Sequence, residues 1–481
     1  MKRLSLILAM TFIASSAKAQ PIANHPRVQE ATAVLAKWLD AQRAYLRIPG
    51  VSAAVVFDQD VVWSGGFGWA DIARRAPADA STIYSICSIS KLFTSISLMQ
   101  LRDQGKVRLD DSVAKHLPWF TIRNPKPEDG AVTVEGLLTH ASGLPREAAY
   151  PYWSAPSFEF PTREQIISAV SSEEMLYRPE TYFQYSNLGL TLAGEIVAAA
   201  SGKPYADYVR ANVLTPLGLT STWSEMPAQE RGKRLATGYG GWEREGDRRV
   251  LPFFEAKGIA PAAGYASTAL DLARFASWQF RLLATGGTEV LSANTLREME
   301  RVHFVDPEWE PTWGLGFQVW RNDGKTFVGH GGSCPGYRTQ FTTEPAGKIA
   351  IVTMTNAIDA DANALAQQAY ALVAPALAAA KGDTGRKIVA ADPALDKYLG
   401  TYGASFGGEL EVVRWEGGLG SISLPSDNPA KAMTRYRKTG DNTFRRIRRD
   451  GELAEVVSFD LGADGRAIRL RTSYNMMPRI R

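Results

Sequence analysis

The chain has few of the residues that most quickly betray a function: two cysteines and five histidines among 481 residues, and charges that almost cancel, with 54 Lys plus Arg against 50 Asp plus Glu. Its length excludes a peptide hormone or a disulfide-framed mini-protein, and at roughly 150 residues per domain it allows two or three domains with a substantial core. The histidines show no metal-ligand spacing and Gly-x-Ser-x-Gly does not occur, so neither a zinc hydrolase nor an α/β-hydrolase is supported, and no metal is expected. A surplus of four positive charges is too thin to steer nucleic acid, and no such partner is expected. No segment approaches the roughly 20 apolar residues that cross a bilayer, so no transmembrane anchor is expected either. Apolar residues at 45% and charged residues at 22% are ordinary globular values, which exclude a largely disordered or collagen-like chain.

What the chain does contain begins with a leader. Lys2 and Arg3 precede a mostly apolar run from Leu4 to Ile13, and Ala17-Lys18-Ala19 offers the small residues a signal peptidase needs. Residues 1–19 therefore read as a Sec signal peptide, with Gln20 the first mature residue and a periplasmic or secreted destination. No cysteine follows the small residues, so a lipoprotein anchor has no attachment point.

From Pro26 to about Ala380, short β-like runs alternate with helical ones, the pattern of helices packed on a mixed or antiparallel sheet. Val51 to Phe57 and Val61 to Trp63 flank Asp58-Gln59-Asp60 as a hairpin. Ile89, Leu92, Phe93 and Ile96 recur at helical spacing, and Asn187 to Ser201 is a Leu- and Ala-rich run closed by Gly202. Lys325 to Val328 and Thr339 to Thr343 are expected to surround a glycine-rich turn, and Ile349 to Thr355 is a β-branched strand. Gly382 to Gly385 reads as a linker, dividing a domain over 20–384 from one over 385–481. In the second, Glu409 to Trp415, Met433 to Arg437, Glu455 to Phe459 and Ala467 to Arg471 alternate polar and apolar residues, which describes a small all-β domain. Its Arg445, Arg446, Arg448 and Arg449 are read as a solvated face rather than an anion site.

Three short stretches carry possible chemistry. In Ser88-Ile89-Ser90-Lys91 a serine at a helix start stands three residues from a lysine, so hydroxyl and amine share one turn. A lysine among apolar neighbours is pushed toward its neutral form and can take the hydroxyl proton. The tetrapeptide alone describes a capping serine beside a solvated lysine equally well. In Tyr185-Ser186-Asn187 a phenol whose proton is drawn off by an ammonium can shuttle protons, and an amide can orient the lysine and hold a substrate carbonyl. By itself it is a turn and an N-cap. In Val328-Gly329-His330-Gly331-Gly332-Ser333 the glycines let a substrate backbone lie close to a strand edge, although a lone histidine among glycines is more often a turn.

The order and spacing of the three, with Tyr84-Ser85-Ile86-Cys87-Ser88-Ile89-Ser90-Lys91-Leu92-Phe93-Thr94, Leu137-Leu138-Thr139-His140-Ala141-Ser142-Gly143-Leu144-Pro145 and Pro216-Leu217-Gly218-Leu219, resemble the serine β-lactamase and penicillin-binding family over roughly residues 45 to 360. The likeness is to the branch of class C β-lactamases, D-Ala-D-Ala carboxypeptidases, D-aminopeptidases and related esterases. It implies an α/β (α+β) fold in which an antiparallel sheet is flanked by helices beside a helical subdomain. The appended β domain is similar to the lipocalin-like modules behind some members. The resemblance further implies Ser88 as the acylated nucleophile, Lys91 and Tyr185 sharing general-base and general-acid work, and Asn187 positioning substrate beside His330, Gly331 and Gly332. The oxyanion hole would be the backbone amides of Ser88 and Ser333. His140 reads as structural. By similarity to certain carbapenem-hydrolysing relatives, Cys87 and Cys334 are expected to form a disulfide, which an exported protein would meet conditions to form.

His330 stands where β-lactamases of the family usually carry a lysine, and a neutral imidazole attracts a lactam carboxylate less than an ammonium does. Tyr150, Tyr152, Trp153 and Trp313 are candidates to wall the cleft, with some of them core. The expectation is an exported, cofactor-free serine hydrolase acting on small amides, esters or peptides of the D-amino-acid or cell-wall type. A carboxylesterase and a β-lactamase are the enzyme alternatives, and a penicillin-binding sensor with little turnover is the alternative of another class.

Overall fold

A computed structural model describes residues 21–382, 392–403 and 407–481. The expected signal peptide and the expected boundary at 384/385 lie outside the described residues. The centre of the molecule is a nine-stranded sheet, paired antiparallel throughout, into which both ends of the larger unit feed strands. The Gly50–Phe57 strand pairs on one side with Asp60–Asp71 and on the other with Ile349–Thr355. The sheet then continues through Tyr337–Glu344, Lys325–Cys334 and Gln318–Asn322.

Side chains of a strand alternate between faces, and here both faces are dry. Val51, Ala53 and Val55 pack with Ile349 and Ile351 under two helices, Pro26–Tyr45 and Ala362–Gly382, which contribute Leu35, Trp38, Leu372 and Leu377. Ala54 and Val56 face the other way, with Ala350, Val352 and Met354, onto a larger core built from the helices Ser90–Asp103, Asn187–Ser201 and Ala269–Thr285. The Asn187–Ser201 helix starts where the Ser186 hydroxyl accepts the Gly189 N–H at 2.8 Å and stops at Gly202 in the left-handed region. The Ser90–Asp103 helix is buried from Ser90 to Leu101, and Thr94 and Ser97 return their hydroxyls to the backbone, Ser97 to Phe93 O at 2.9 Å.

The glycine-rich stretch is not a turn. Gly329 to Ser333 run inside the Lys325–Cys334 strand, registered from Val328 opposite Thr343 to Cys334 opposite Tyr337, and the reversal falls on Pro335-Gly336. The glycines serve close approach. A Cβ on Gly332 would stand 2.3 Å from the Ile86 carbonyl oxygen, so only glycine lets this strand lie against the segment leading to Ser88.

The C-terminal unit is an eight-stranded antiparallel meander from Gly400–Gly403 to Met476–Pro478. Its first and last strands meet, with Ile480 donating to Thr401 O at 2.8 Å, so the sheet is nearly closed around Tyr398, Tyr402, Phe444 and Phe459. It is docked on the larger unit: Val413, Ile422 and Leu424 join the core beneath the Pro26–Tyr45 helix, and Trp38 Nε1 donates to Ser426 O at 2.7 Å. Arg446 meets Glu455 at 3.0 Å and Arg448 meets Asp450 on the outside of this sheet, as a solvated face requires. Among the described residues no helix is long and apolar enough to cross a membrane.

Candidate active site

A one-turn 3₁₀ helix, Cys87–Ile89, feeds directly into the Ser90–Asp103 helix and places Ser88 at its mouth. This turn is held from three directions. Ile86 N–H donates to Tyr265 O at 2.8 Å, the Thr339 hydroxyl donates to Ile86 O at 3.2 Å, and Cys87 is joined by a disulfide to Cys334, with Cα atoms 5.6 Å apart. Cys87 has φ of 53°, a left-handed conformation that a side-chain-bearing residue keeps only where its surroundings over-determine it.

Lys91, one helical turn further on, has no exposed surface. Its Nζ lies 3.1 Å from Ser88 Oγ, 2.7 Å from Asn187 Oδ1 and 2.8 Å from the Ala262 carbonyl oxygen. Burial drives its pKa well below that of a free lysine, with the Glu147 charge opposing and the Arg146 charge reinforcing. A neutral amine has two hydrogens and one lone pair. Asn187 Oδ1 and Ala262 O can only accept, so they take both hydrogens, and the lone pair is left for the Ser88 hydroxyl.

Tyr185 completes the group. Its ring centroid is 4.9 Å from Lys91 Nζ, and its phenol stands close enough to Ser88 for that hydroxyl to lower its pKa. Burial raises its pKa, and Ser88 only partly offsets that. Burial therefore pushes both the amine and the phenol toward their uncharged forms, as expected for a lysine among apolar neighbours. His330 is buried, with Nδ1 2.6 Å from Gly331 O, and burial followed by the Lys91 charge pulls its pKa down to about 3. It offers an uncharged imidazole even well below neutral pH. His140, also buried, accepts the Ser186 N–H at Nδ1 over 3.1 Å and packs tilted against the Tyr185 ring with centroids 4.2 Å apart. It supports that ring, in keeping with a structural role.

These groups open onto one cleft of about 790 Å³, lined by Ser88, Tyr185, Asn187, His330, Gly331, Gly332 and Ser333. All the sequence-singled site residues meet there except Lys91, which lies beneath the floor, and the two cysteines, which tie its walls together. Pairing with the Gln318–Asn322 strand ends at Gly329, so His330 to Cys334 pair only with Tyr337 to Phe341 and present their other edge beside Ser88. Of the four candidate aromatics, Trp153 and Trp313 line the cleft, whereas Tyr152 is core and Tyr150 is half-buried.

Three contributors carried no signal in the sequence. The Ala262 carbonyl is backbone, and no side-chain pattern marks it. Arg146 lies in the cleft wall with its guanidinium 4.9 Å from the Tyr185 ring centroid. Glu147 accepts from Asn187 Nδ2 at 2.6 Å and from Trp153 Nε1 at 2.8 Å. Both follow the Leu137 to Pro145 stretch by one and two residues.

The Beta-lactamase family model matches residues 35–374. "Beta-lactamase-like protein 2" of Dictyostelium discoideum is 28% identical over 294 residues, which are 60% of this chain and 52% of that protein, so the chain spans about half the length of this curated relative. The octameric penicillin-binding protein homologue from Pyrococcus abyssi is 26% identical with a TM-score of 0.61, over 93% of this chain and 99% of its own. The D-amino acid amidase from Ochrobactrum anthropi SV3 shares the fold, at 24% identity and a TM-score of 0.59 over 74% of this chain and 99% of its own.

Proposed function

This chain belongs to the Beta-lactamase family, and from that premise we propose that it is an exported serine hydrolase working through an acyl-enzyme on Ser88. The observation that carries the reading is the Lys91 amine, 3.1 Å from Ser88 Oγ with acceptors at its other contacts. Lys91 takes the Ser88 proton as Oγ bonds to the substrate carbonyl carbon. The backbone N–H groups of Ser88 and Ser333 hold the resulting oxyanion. Tyr185 gives its phenol proton to the departing nitrogen or oxygen and regains one from the Lys91 ammonium. Water then releases the acyl group, restoring Ser88. Asn187 and the open edge from His330 to Cys334 hold an extended, peptide-like substrate, and no cofactor takes part.

The substrates we propose are peptides or amides of the D-amino-acid or cell-wall type. Arg146 supports a carboxylate-bearing substrate, since it places a guanidinium in the cleft wall. The uncharged His330 argues against efficient β-lactam hydrolysis, because the position offers no ammonium to the lactam carboxylate. The leader residues Lys2 to Ala19 and the Cys87–Cys334 disulfide support export to an oxidising compartment.

The test is a panel of D-Ala-D-Ala peptides, D-amino-acid amides, short-chain nitrophenyl esters and a chromogenic cephalosporin, run on the wild type and on Ser88→Ala. Turnover of peptides or amides that vanishes in a folded Ser88→Ala variant, with an acyl adduct on the wild-type peptide containing Ser88, is expected. Fastest turnover on the cephalosporin overturns the substrate class. A stoichiometric burst without turnover on every compound makes the protein a sensor, and undiminished activity in Ser88→Ala removes the nucleophile.

A further inference from the structure

The Lys91 lone pair faces Ser88 only while the Asn187 amide presents its oxygen to Lys91. An asparagine amide has two ends of nearly equal size and opposite hydrogen-bonding character, so a flip replaces an acceptor with donors at the same place. Turned round, Asn187 would aim an N–H at the lysine lone pair and occupy the electrons that must receive the Ser88 proton. Something has to forbid that rotamer.

The group on the far side of the amide is Glu147. Its Oε1 accepts from Asn187 Nδ2 at 2.6 Å and from Trp153 Nε1 at 2.8 Å, while the Tyr152 hydroxyl donates to Oε2. A carboxylate only accepts, so it admits the NH₂ end of Asn187 and repels the oxygen end. The placement is rigid. The Arg146 carbonyl accepts the N–H of Asn187 at 2.8 Å and of Leu188 at 3.1 Å, fastening the Glu147 loop to the first turn of the Asn187–Ser201 helix. Tyr152 is core and Trp153 packs edge-on against Phe160 with ring centroids 5.1 Å apart, so these two donors to Glu147 are themselves fixed, and Arg146 Nε adds an ion pair at 3.4 Å.

We infer that Glu147 is a positioning residue: by locking the Asn187 amide in one orientation it keeps the Asn187 carbonyl on Lys91 and aims the lysine lone pair at Ser88. The inference rests on Ser88 and Lys91 acting as nucleophile and base. Glu147 also acts through space. The groups bearing on Lys91 are Glu147, which favours its protonation, and Arg146, His330 and His140, together with the neutral Tyr185 and Ser88.

Two substitutions separate the roles. Glu147→Gln keeps an oxygen for Asn187 and Trp153 and can donate to the Tyr152 hydroxyl, but it removes the charge. Without that charge the Lys91 ammonium is less favoured, so the amine persists to lower pH. The acid limb of the kcat profile should then move to lower pH, with kcat at its plateau within about threefold of wild type. Glu147→Leu removes the acceptor and releases the flip, and should lower kcat by about 10²-fold with KM little changed. Wild-type kcat in Glu147→Leu overturns the inference. So does a plateau kcat in Glu147→Gln lowered by about 10²-fold, because that variant keeps the acceptor, a reading that stands even if Glu147→Leu fails to fold by circular dichroism. Ser88→Ala assayed alongside separates the failures: if it retains turnover, the nucleophile reading has failed, and if it is inactive while the Glu147 variants behave as wild type, only the positioning role has.

Discussion

Lys91 in the cleft and Arg446 on the C-terminal sheet are both cations on long flexible stems, yet the molecule treats them in opposite ways. Arg446 sits half in water, 3.0 Å from Glu455, and its neighbours repeat the arrangement: Arg471 reaches Asp460 at 2.7 Å and Arg435 reaches Glu416 at 3.0 Å. Such pairs are solvated, screened and worth about 0–1 kcal/mol each. Lys91 has no exposed surface and, among the described residues, no carboxylate in contact. Its partners are a hydroxyl, an amide oxygen and a peptide carbonyl, and Glu147 stands one residue removed, behind Asn187. The comparison teaches that burial without a counter-ion shifts a cation toward its neutral form, whatever the number of charges elsewhere on the chain.

The contrast is sharpest at Lys91 itself. Lys91→Ala should reduce kcat by about 10³-fold or more, and Lys91→Arg should be as inactive, because a guanidinium keeps the charge but has no lone pair to give at working pH. Steady-state rates on whichever substrate the wild type turns over decide it. An active Lys91→Arg enzyme would mean that the cleft needs a charge rather than a base, and the two regions would then differ only in degree.

The second difference is covalent. The cleft is tied by Cys87–Cys334 across 247 residues of chain, and the C-terminal sheet contains no cysteine. In the chain-entropy picture a loop of that size is worth about 5–6 kcal/mol. Cys87→Ala/Cys334→Ala should shift the urea midpoint downward accordingly and reduce kcat with it, since the tether also seats the Ser88 turn. An unchanged midpoint would mean that the hydrogen bonds of Ile86 hold the turn alone. The smallest effect belongs to the outer sheet: Arg446→Ala should cost less than about 0.5 kcal/mol in the same titration and leave kcat unaltered. A larger loss would give that surface a role in stability that solvated pairs do not have.

Local patterns in the sequence reached far into this structure. The strands at 51–57 and 349–355 show their β-branched runs, and Glu409 to Trp415 and Ala467 to Arg471 coincide with observed strands. The Ser88–Lys91 pair was equally visible, since both groups lie on one turn. Two kinds of feature were not visible. Glycine signals a turn and a close approach with the same letter, so Gly331 and Gly332 read as a reversal when they are the flat part of a strand lying on Ile86. The Thr443–Ile447 strand was hidden because its arginines mask the alternation that marks a sheet face.

By itself the sequence determined which residue types could react and which of them share a helical turn, because spacing along one element translates directly into distance. Only the tertiary structure decided what surrounds them. That Lys91 is dry, that Ala262 offers it a carbonyl, and that Glu147 stands behind Asn187 depend on chain segments about 170 and 40 residues away in sequence. Protonation state follows from solvent exclusion and from the direction of each hydrogen bond, and both are properties of packing rather than of any local pattern.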